Sequence, residues 1–335
     1  MISLQKLLNN TKEKTVLVVG DSILDISVYS ETIGLSLETP TLKVKKIKST
    51  KSMGGAANVV KNCIALGSQC HFITVLGEDE IYPEYSSWMD NKLAISAIIE
   101  ERENVSKTRH WIKRGDCSYK HLQINTGDKT PITKNSEDCI INLVEEIVES
   151  FDALLLIDYQ NGVFSSKEFT QKIIEIAKSK NISTICNSQK STNKARHDWF
   201  AGADLISMNL EEAVANDKDF VGKQLSNLEN KFSSGVCVTL GESGSVIKGK
   251  NHDKEYSCDA LKIEVKDSCG AGDAFLACLS LLDWHGAPQE SLAVSNTWAA
   301  LSINKLGLTC PTKRELIELV KVLDNETDKN SDSAS

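Results

Sequence analysis

Three groups of residues in this sequence have types and spacings suited to chemistry. The first is Ser268–Leu282, SCGAGDAFLACLSLL. Two glycines flank an alanine, an aspartate follows, and apolar residues at Phe275, Leu276, Leu279 and Leu282 predict a helix. Gly270, Ala271 and Gly272 then stand at its N-terminus. The first amide N–H groups of a helix have no partner within it, and the summed peptide dipoles place about half a positive charge there. Glycines let an anion approach the backbone, so the segment suits a phosphate group. Asp273 in the first turn has two readings. It is a general base for a hydroxyl that attacks a phosphoryl group, or an acid placed where capping and the dipole favour one.

The second group is GDSILD with GGAAN. Asp21 and Asp25 follow a glycine at a strand end, which directs polar groups at a ligand. Gly54, Gly55 and Asn58 offer backbone and side-chain amides to sugar hydroxyls; each segment alone also reads as an ordinary turn or helix start. The third group is cationic. Lys43–Lys51 alternates lysine with apolar residues and suits a solvated edge strand or a phosphate-attracting rim. Other nucleotide motifs are missing. GxxxxGK[ST] does not occur, and GAGDAF carries Phe275 where a dinucleotide fingerprint needs its third glycine.

These residues need elements to hold them. Val16–Val19 predicts a buried parallel strand ending at a glycine turn. GGAANVVKNCIALG predicts a helix that stops at Gly67, and CHFITVLG a strand after it. Residues 107–125 predict a hairpin turning near Gly115–Asp116. Helices are expected near 136–150, 166–180 and 289–305. Strands are expected at Ala153–Asp158, STIC, Asp204–Asn209 and Gly235–Gly241, and two short ones near 244–264. Strands alternating with helices imply a mostly parallel sheet covered on both faces. Ligands bind such sheets at the carboxyl ends of the strands, where GDSILD, GGAAN, LGESG and GAGD would converge.

Composition narrows the setting. The 335 residues carry a net charge of −8, which argues against nucleic acid as a partner. Ten cysteines form no CxxC pair and no zinc spacing, so they read as small buried hydrophobes of a reducing compartment. MISLQKLLNNTKEKT lacks the apolar core of a signal peptide, and no apolar run approaches the length of a membrane span. A cytoplasmic protein with no membrane partner is expected. The six histidines show no pairing and read as structural or surface residues. Trp111 packs on substrate, within the fold or at a dimer contact. The end, DNETDKNSDSAS, is almost devoid of apolar residues, and 323–335 is expected to be a disordered tail.

VVGDSILD, GGAANVVKN, SMNLEEA, VTLGESGS, DSCGAGDAF and SNTWAALSINKLG follow one another in order. This series resembles the ribokinase-like (pfkB) carbohydrate kinases. LSLETPTLKVK and INKLG are most similar to the kinases that phosphorylate D-glycero-β-D-manno-heptose 7-phosphate. The resemblance implies an α/β fold: a three-layer sandwich with a mostly parallel central sheet and a small β-lid. The kinase domain would cover 1–322, with the lid from about 33–50 and 107–125. It implies ATP, Mg²⁺ and a monovalent cation near Asp267 as cofactors, and a homodimer formed through the lid. Asp273 matches the catalytic base, and Gly270, Ala271 and Gly272 its anion hole. Asn209, Glu212, Thr239, Gly241, Gly244 and Asn296 match ATP-binding positions, with Glu212 holding Mg²⁺ through water. Asp25, Gly54, Gly55 and Asn58 match the sugar side; Arg109 and Lys120 in the hairpin are candidates for a substrate phosphate. Asn187-Ser188 stands where the heptose-phosphate kinases carry Asp-Pro, and Gln123 and Asn125 where they carry Arg and Asp. The nucleotidyltransferase domain of some relatives is not expected in this chain. The activity implied is ATP-dependent phosphorylation of a sugar or sugar-phosphate hydroxyl in surface-carbohydrate precursor synthesis. Kinases for another sugar or a nucleoside, and a non-catalytic sensor of the same fold, are the alternatives.

Overall fold

The computed structural model describes residues 14–115, 117–190, 195–250 and 252–332. Residues 1–13, 116, 191–194, 251 and 333–335 lie outside them. Among the described residues, thirteen strands form two sheets. The strands are β1 (Thr15–Gly20), β2 (Ser22–Leu35), β3 (Leu42–Gly55), β4 (Gln69–Gly77) and β5 (Leu93–Glu100), followed by β6 (Ser106–Arg114) and β7 (Cys117–Thr126). Then come β8 (Ala153–Asp158), β9 (Ser183–Ser188), β10 (Leu205–Asn209), β11 (Gly235–Thr239), β12 (Ser245–Lys248) and β13 (Tyr256–Cys258).

The large sheet runs β13-β12-β11-β10-β9-β8-β1-β4-β5. Along that order the strands from β5 to β11 pair in parallel, and β12 and β13 join antiparallel. Successive side chains of a strand point to opposite faces, and the core divides accordingly. Val16 and Val18 of β1, with Leu155 and Ile157 of β8, pack against the helices Ala56–Leu66, Ala271–Leu281 and Pro288–Ile303. Leu17, Val19, Leu154 and Leu156 pack against Lys134–Ile147 and Lys167–Ser179 on the other face. All eight strand residues are fully buried. The run of consecutive apolar residues is what a strand buried on both faces requires.

The second sheet runs β3-β2-β6-β7 and is the lid. It starts earlier than expected: β2 leaves β1 at Ser22 and stays paired with β3 as far as Leu35–Leu42. SILDISVYSETIGL was not legible as a strand because its burial changes along its length, from a buried first third to an exposed tip. The hairpin of β6 and β7 forms as expected, with Gly115 in the left-handed region. Trp111 is buried at 5% exposure and packs within the fold. The helix Lys313–Asp332 continues through residues expected to be a disordered tail.

The chain leaves β1 toward β4 and β5 on one side and returns to β8 and β9 on the other. The order of strands therefore reverses between β1 and β8. Open α/β sheets place their ligand crevice at such a reversal, outside the carboxyl ends.

Candidate functional site

The parallel register aligns the carboxyl ends. Gly20 lies beside Ile157, Asp158 beside Ser188, Ser207 beside Asn187, and Asn209 beside Thr239. The helix Ala271–Leu281 opens onto this edge. Gly270 caps it with φ +80°, and a Cβ there would meet Leu308 Cδ2 at 2.7 Å and Asn58 Nδ2 at 2.8 Å. Only glycine combines that dihedral with that approach. A Cβ at Gly272 would meet nothing within 4 Å, so the first turn faces open space.

Asp273 stands in that turn with both oxygens engaged. Asn58 Nδ2 donates to Oδ2 at 2.7 Å, and the Tyr159 hydroxyl donates to Oδ1 at 2.5 Å. Burial pushes the carboxyl above its usual range. The two donors and the ammonium groups of Lys107 and Lys61 oppose that rise. Burial lowers both lysines in turn. Lys61 is fixed by Ser52 Oγ at 2.7 Å and the Leu308 carbonyl at 2.5 Å. Tyr159 escaped the sequence reading; its only signal is its place directly after the end of β8.

A cavity of about 600 Å³ extends from this point. Asp273, Gly270, Ala271, Gly272, Asn209, Glu212, Thr239 and Gly241 all line it, together with Tyr159 and Asn187. Asn209 caps the helix Leu210–Asn216 by accepting from the Glu212 N–H at 2.9 Å, and Glu212 Oε2 accepts from the Asn209 N–H at 2.9 Å. Glu212 Oε1 accepts from the Lys190 N–H at 3.2 Å. Burial raises the Glu212 carboxyl, against the backbone donors from Asn209 and Lys190. Two expected ATP contacts lie off this lining. Gly244 shapes the turn after β11, where a Cβ would meet the Cys258 carbonyl at 2.0 Å. Asn296 accepts from Ser245 Oγ and donates to the Cys258 and Asp259 carbonyls, so its amide braces β12 and β13.

A second cavity, about 400 Å³, lies under the lid. Asp25 and Arg109 line it as a buried ion pair, with Lys48, Lys51, Tyr29, Asp267 and Cys269. β2 and β6 pair in parallel, which sets Asp25 beside Lys107 and Ser27 beside Arg109. A Cβ on Gly54 would meet Asp25 Oδ2 at 2.2 Å. Gly55, at φ +61°, turns the chain into the helix that carries Asn58. Lys120 reaches the rim, with Nζ 3.5 Å from Cys269 Sγ. Gln123 donates to Asn125 on the exposed side of β7.

Asp21 is a correction. Its carboxylate does not face a ligand: it accepts the N–H groups of Tyr159 at 2.7 Å, Asn161 at 3.2 Å and Val163 at 3.0 Å, and it is 1% exposed. A short acid at a strand end satisfies buried loop amides before it can reach solvent. Asn187 donates to the Ser207 carbonyl, and Ser188 donates to Asp158.

An acid thus stands at a glycine-opened helix start on the wall of a crevice, near a cationic cavity under a lid. The family model "pfkB family carbohydrate kinase" matches residues 13–314. The chain belongs to the pfkB family of carbohydrate kinases. Among its relatives is the bifunctional protein HldE of Campylobacter fetus subsp. fetus, 31% identical over 301 residues. That alignment covers 87% of this chain and 63% of the relative, so the chain spans less than two thirds of the curated protein it matches. Arabidopsis thaliana ribokinase, solved with ribose and ATP, superposes with a TM-score of 0.68 at 16% identity, covering 92% of this chain and 99% of that one. Escherichia coli phosphofructokinase-2, solved with substrates and products, gives 0.70 at 13% identity, covering 92% and 99%. The fold is therefore ribokinase-like.

Proposed function

We propose that this pfkB kinase phosphorylates a hydroxyl of a sugar phosphate, with a heptose 7-phosphate-type acceptor in surface-carbohydrate precursor synthesis as the leading case. One observation carries the reading: Asp273 lies where the 600 Å³ crevice meets the side chain of Asn58, which joins it to the lid-side residues. ATP occupies the crevice, its phosphates against the amides of Gly270–Gly272 and the helix N-terminus. Asp25 and Asn58 hold the sugar. Asp273 takes the proton as the hydroxyl oxygen attacks the γ-phosphoryl group, and the glycine amides stabilise charge on the transferred group. The lid excludes water as a competing acceptor. Lys48, Lys51, Arg109 and Lys120 favour an acceptor that already carries a phosphate.

Glu212 would hold Mg²⁺ through water, and the ion would supply positive charge to offset that of the ATP phosphates. Among the described residues no group of three or more ligating side chains is found. Asp267 is 7% exposed and accepts from the N–H groups of Cys269 and Gly307; a monovalent cation beside it would offset the carboxylate's charge. The lid also exposes Ile33, Leu35, Ile47, Leu122 and Ile124, which supports a homodimer through that sheet. The chain works where ATP and sugar phosphates occur, in the cytoplasm.

The test is coupled ADP release across heptose 7-phosphate, the free heptose, fructose 6-phosphate, ribose and adenosine, in potassium and in tetramethylammonium. ADP with the 7-phosphate alone is expected, faster in potassium. Equal turnover of the free heptose would remove the phosphate requirement. Tight binding of one sugar with ADP from none would favour the sensor. Sedimentation equilibrium checks the dimer, which a monomer at micromolar concentration rules out.

A further inference from the structure

We propose that Tyr159 is a positioning residue for Asp273, its hydroxyl holding the carboxylate in the orientation a base requires. The inference rests on the reading of Asp273 as the base. Two donors reach Asp273, one on each oxygen: Tyr159 on Oδ1 and Asn58 on Oδ2. Together they stop the carboxylate rotating, while each oxygen keeps a further lone pair for a proton.

Tyr159 is itself held tightly. Its N–H donates to Asp21, and the loop continues around that carboxylate through Asn161 and Val163. The next residue, Gln160, takes φ +55° and donates its N–H to Asp158. Arg102 closes the far side through the Asp128, Thr130 and Asn161 carbonyls. A plain strand-to-loop turn needs no pair of buried carboxylates beneath it. Here Asp21 and Asp158 are 1% and 0% exposed, and the loop they shape presents one hydroxyl to the crevice. Burial and the neighbouring Asp273 hold the phenol far above its usual range, so it stays a donor at every pH the enzyme meets.

The charged groups that face Asp273 come from several elements. Lys61 belongs to the helix Ala56–Leu66, and Lys107 to β6, with its ammonium 5.4 Å from the Tyr159 ring centre. Glu212 and Arg109 act on Tyr159 from the crevice and the lid. Removal of the hydroxyl leaves these charges in place and takes one charge-assisted hydrogen bond from the ionised base. That bond favours the ionised form, so its loss shifts ionisation to higher pH by about one unit.

Tyr159→Phe keeps the ring that Lys107 covers. Its kcat should fall on the order of tenfold with both KM values within about twofold. The acidic limb of its kcat profile should move up by about one pH unit. A purely packing role would lower kcat equally at every pH. A second measurement does not need turnover: ¹³C-carboxyl NMR titration of the full chain should show the Asp273 midpoint rising in Tyr159→Phe. An unmoved limb and an unmoved midpoint overturn the proposal. If wild-type chain forms no ADP with any acceptor, the kinase reading falls and the catalytic part of this proposal falls with it; the NMR midpoint then decides the positioning contact alone.

Discussion

Replacing Asp273 by Asn is the sharpest test of the proposed chemistry, because the structure predicts a large loss of turnover with little change in stability. A general base contributes on the order of 10²–10⁴ in rate, about 3–5 kcal/mol of barrier. Asn cannot accept the proton, so kcat should fall by that factor while ATP and sugar still bind. Stability follows different terms. The variant keeps a carbonyl for the Tyr159 hydroxyl but turns an NH₂ toward the Asn58 NH₂, which loses a charge-assisted bond of about 1.5–3 kcal/mol. Against that stands the desolvated carboxylate. Its raised pKa means that the folded chain binds this proton more tightly than the unfolded chain does. Its contribution to stability is full below the unfolded value of about 4 and is lost as pH rises through the folded value. At neutral pH the ionised acid is therefore a burden that Asn removes. The two terms oppose, and the melting temperature should change by no more than about 4 °C for a chain of this size. The assay is coupled ADP release from pH 5 to 9, with isothermal titration of ATP and of the sugar and a calorimetric melt. Wild-type turnover should rise with pH through a midpoint above the usual carboxylate range. Turnover of Asp273→Asn within threefold of wild type would refute the base. Loss of sugar binding in step with turnover would make Asp273 a binding residue instead.

Three further outcomes follow from the geometry. Gly270→Ala adds a Cβ against Asn58 and Leu308 at a left-handed φ, so it should lose about 1–2 kcal/mol in a denaturant titration and most of its turnover; normal activity would show that Gly270 does not shape the site. Arg109→Ala strands Asp25 in a buried place and should lose about 3–5 kcal/mol, whereas Arg109→Met with Asp25→Leu should recover much of that without recovering sugar affinity; recovered affinity would remove the pair from recognition. His197 is fully buried with its pKa pushed down to about 4, so the folded chain resists protonating it. It contributes up to about 3 kcal/mol above the unfolded pKa near 6.5, lost as pH falls toward 4. His197→Gln should flatten that part of the stability profile, and an unchanged slope would show that His197 is not its source.

Most of the large sheet was legible because its signal is local. VLVV and LLLI are runs that only a strand buried on both faces can carry, and β1 and β8 follow them. Gly67 and Gly270 mark a helix end and a helix start through left-handed dihedrals that an isolated segment already dictates. β5 went unread in LAISAIIE, and β2 in SILDISVYSETIGL. A strand at a sheet's edge or rising into a lid lacks an even alternation, because its surroundings change along its length.

The crevice side of the site was legible to the same extent, since Asn209, Glu212, Thr239 and Asp273 each sit at the end of a local motif. Asn296 and Gly244 lie off the crevice lining, and only the fold shows that the Asn296 amide bonds to the Cys258 carbonyl and that Gly244 approaches the same carbonyl.

By itself the sequence determined the alternating α/β order, the glycine-opened helix start and the family of ordered motifs. These depend on contacts within a few residues. Only the tertiary structure decided that Asn58, Tyr159 and Asp273 meet, across 215 and 114 residues of chain. It also decided that Asp21 turns inward while Asp25 faces the lid cavity. Two carboxylates four residues apart have the same chemistry on paper. Which one finds buried amides and which one finds an arginine depends on where β2, β6 and the loop after β8 pack, and no local pattern carries that information.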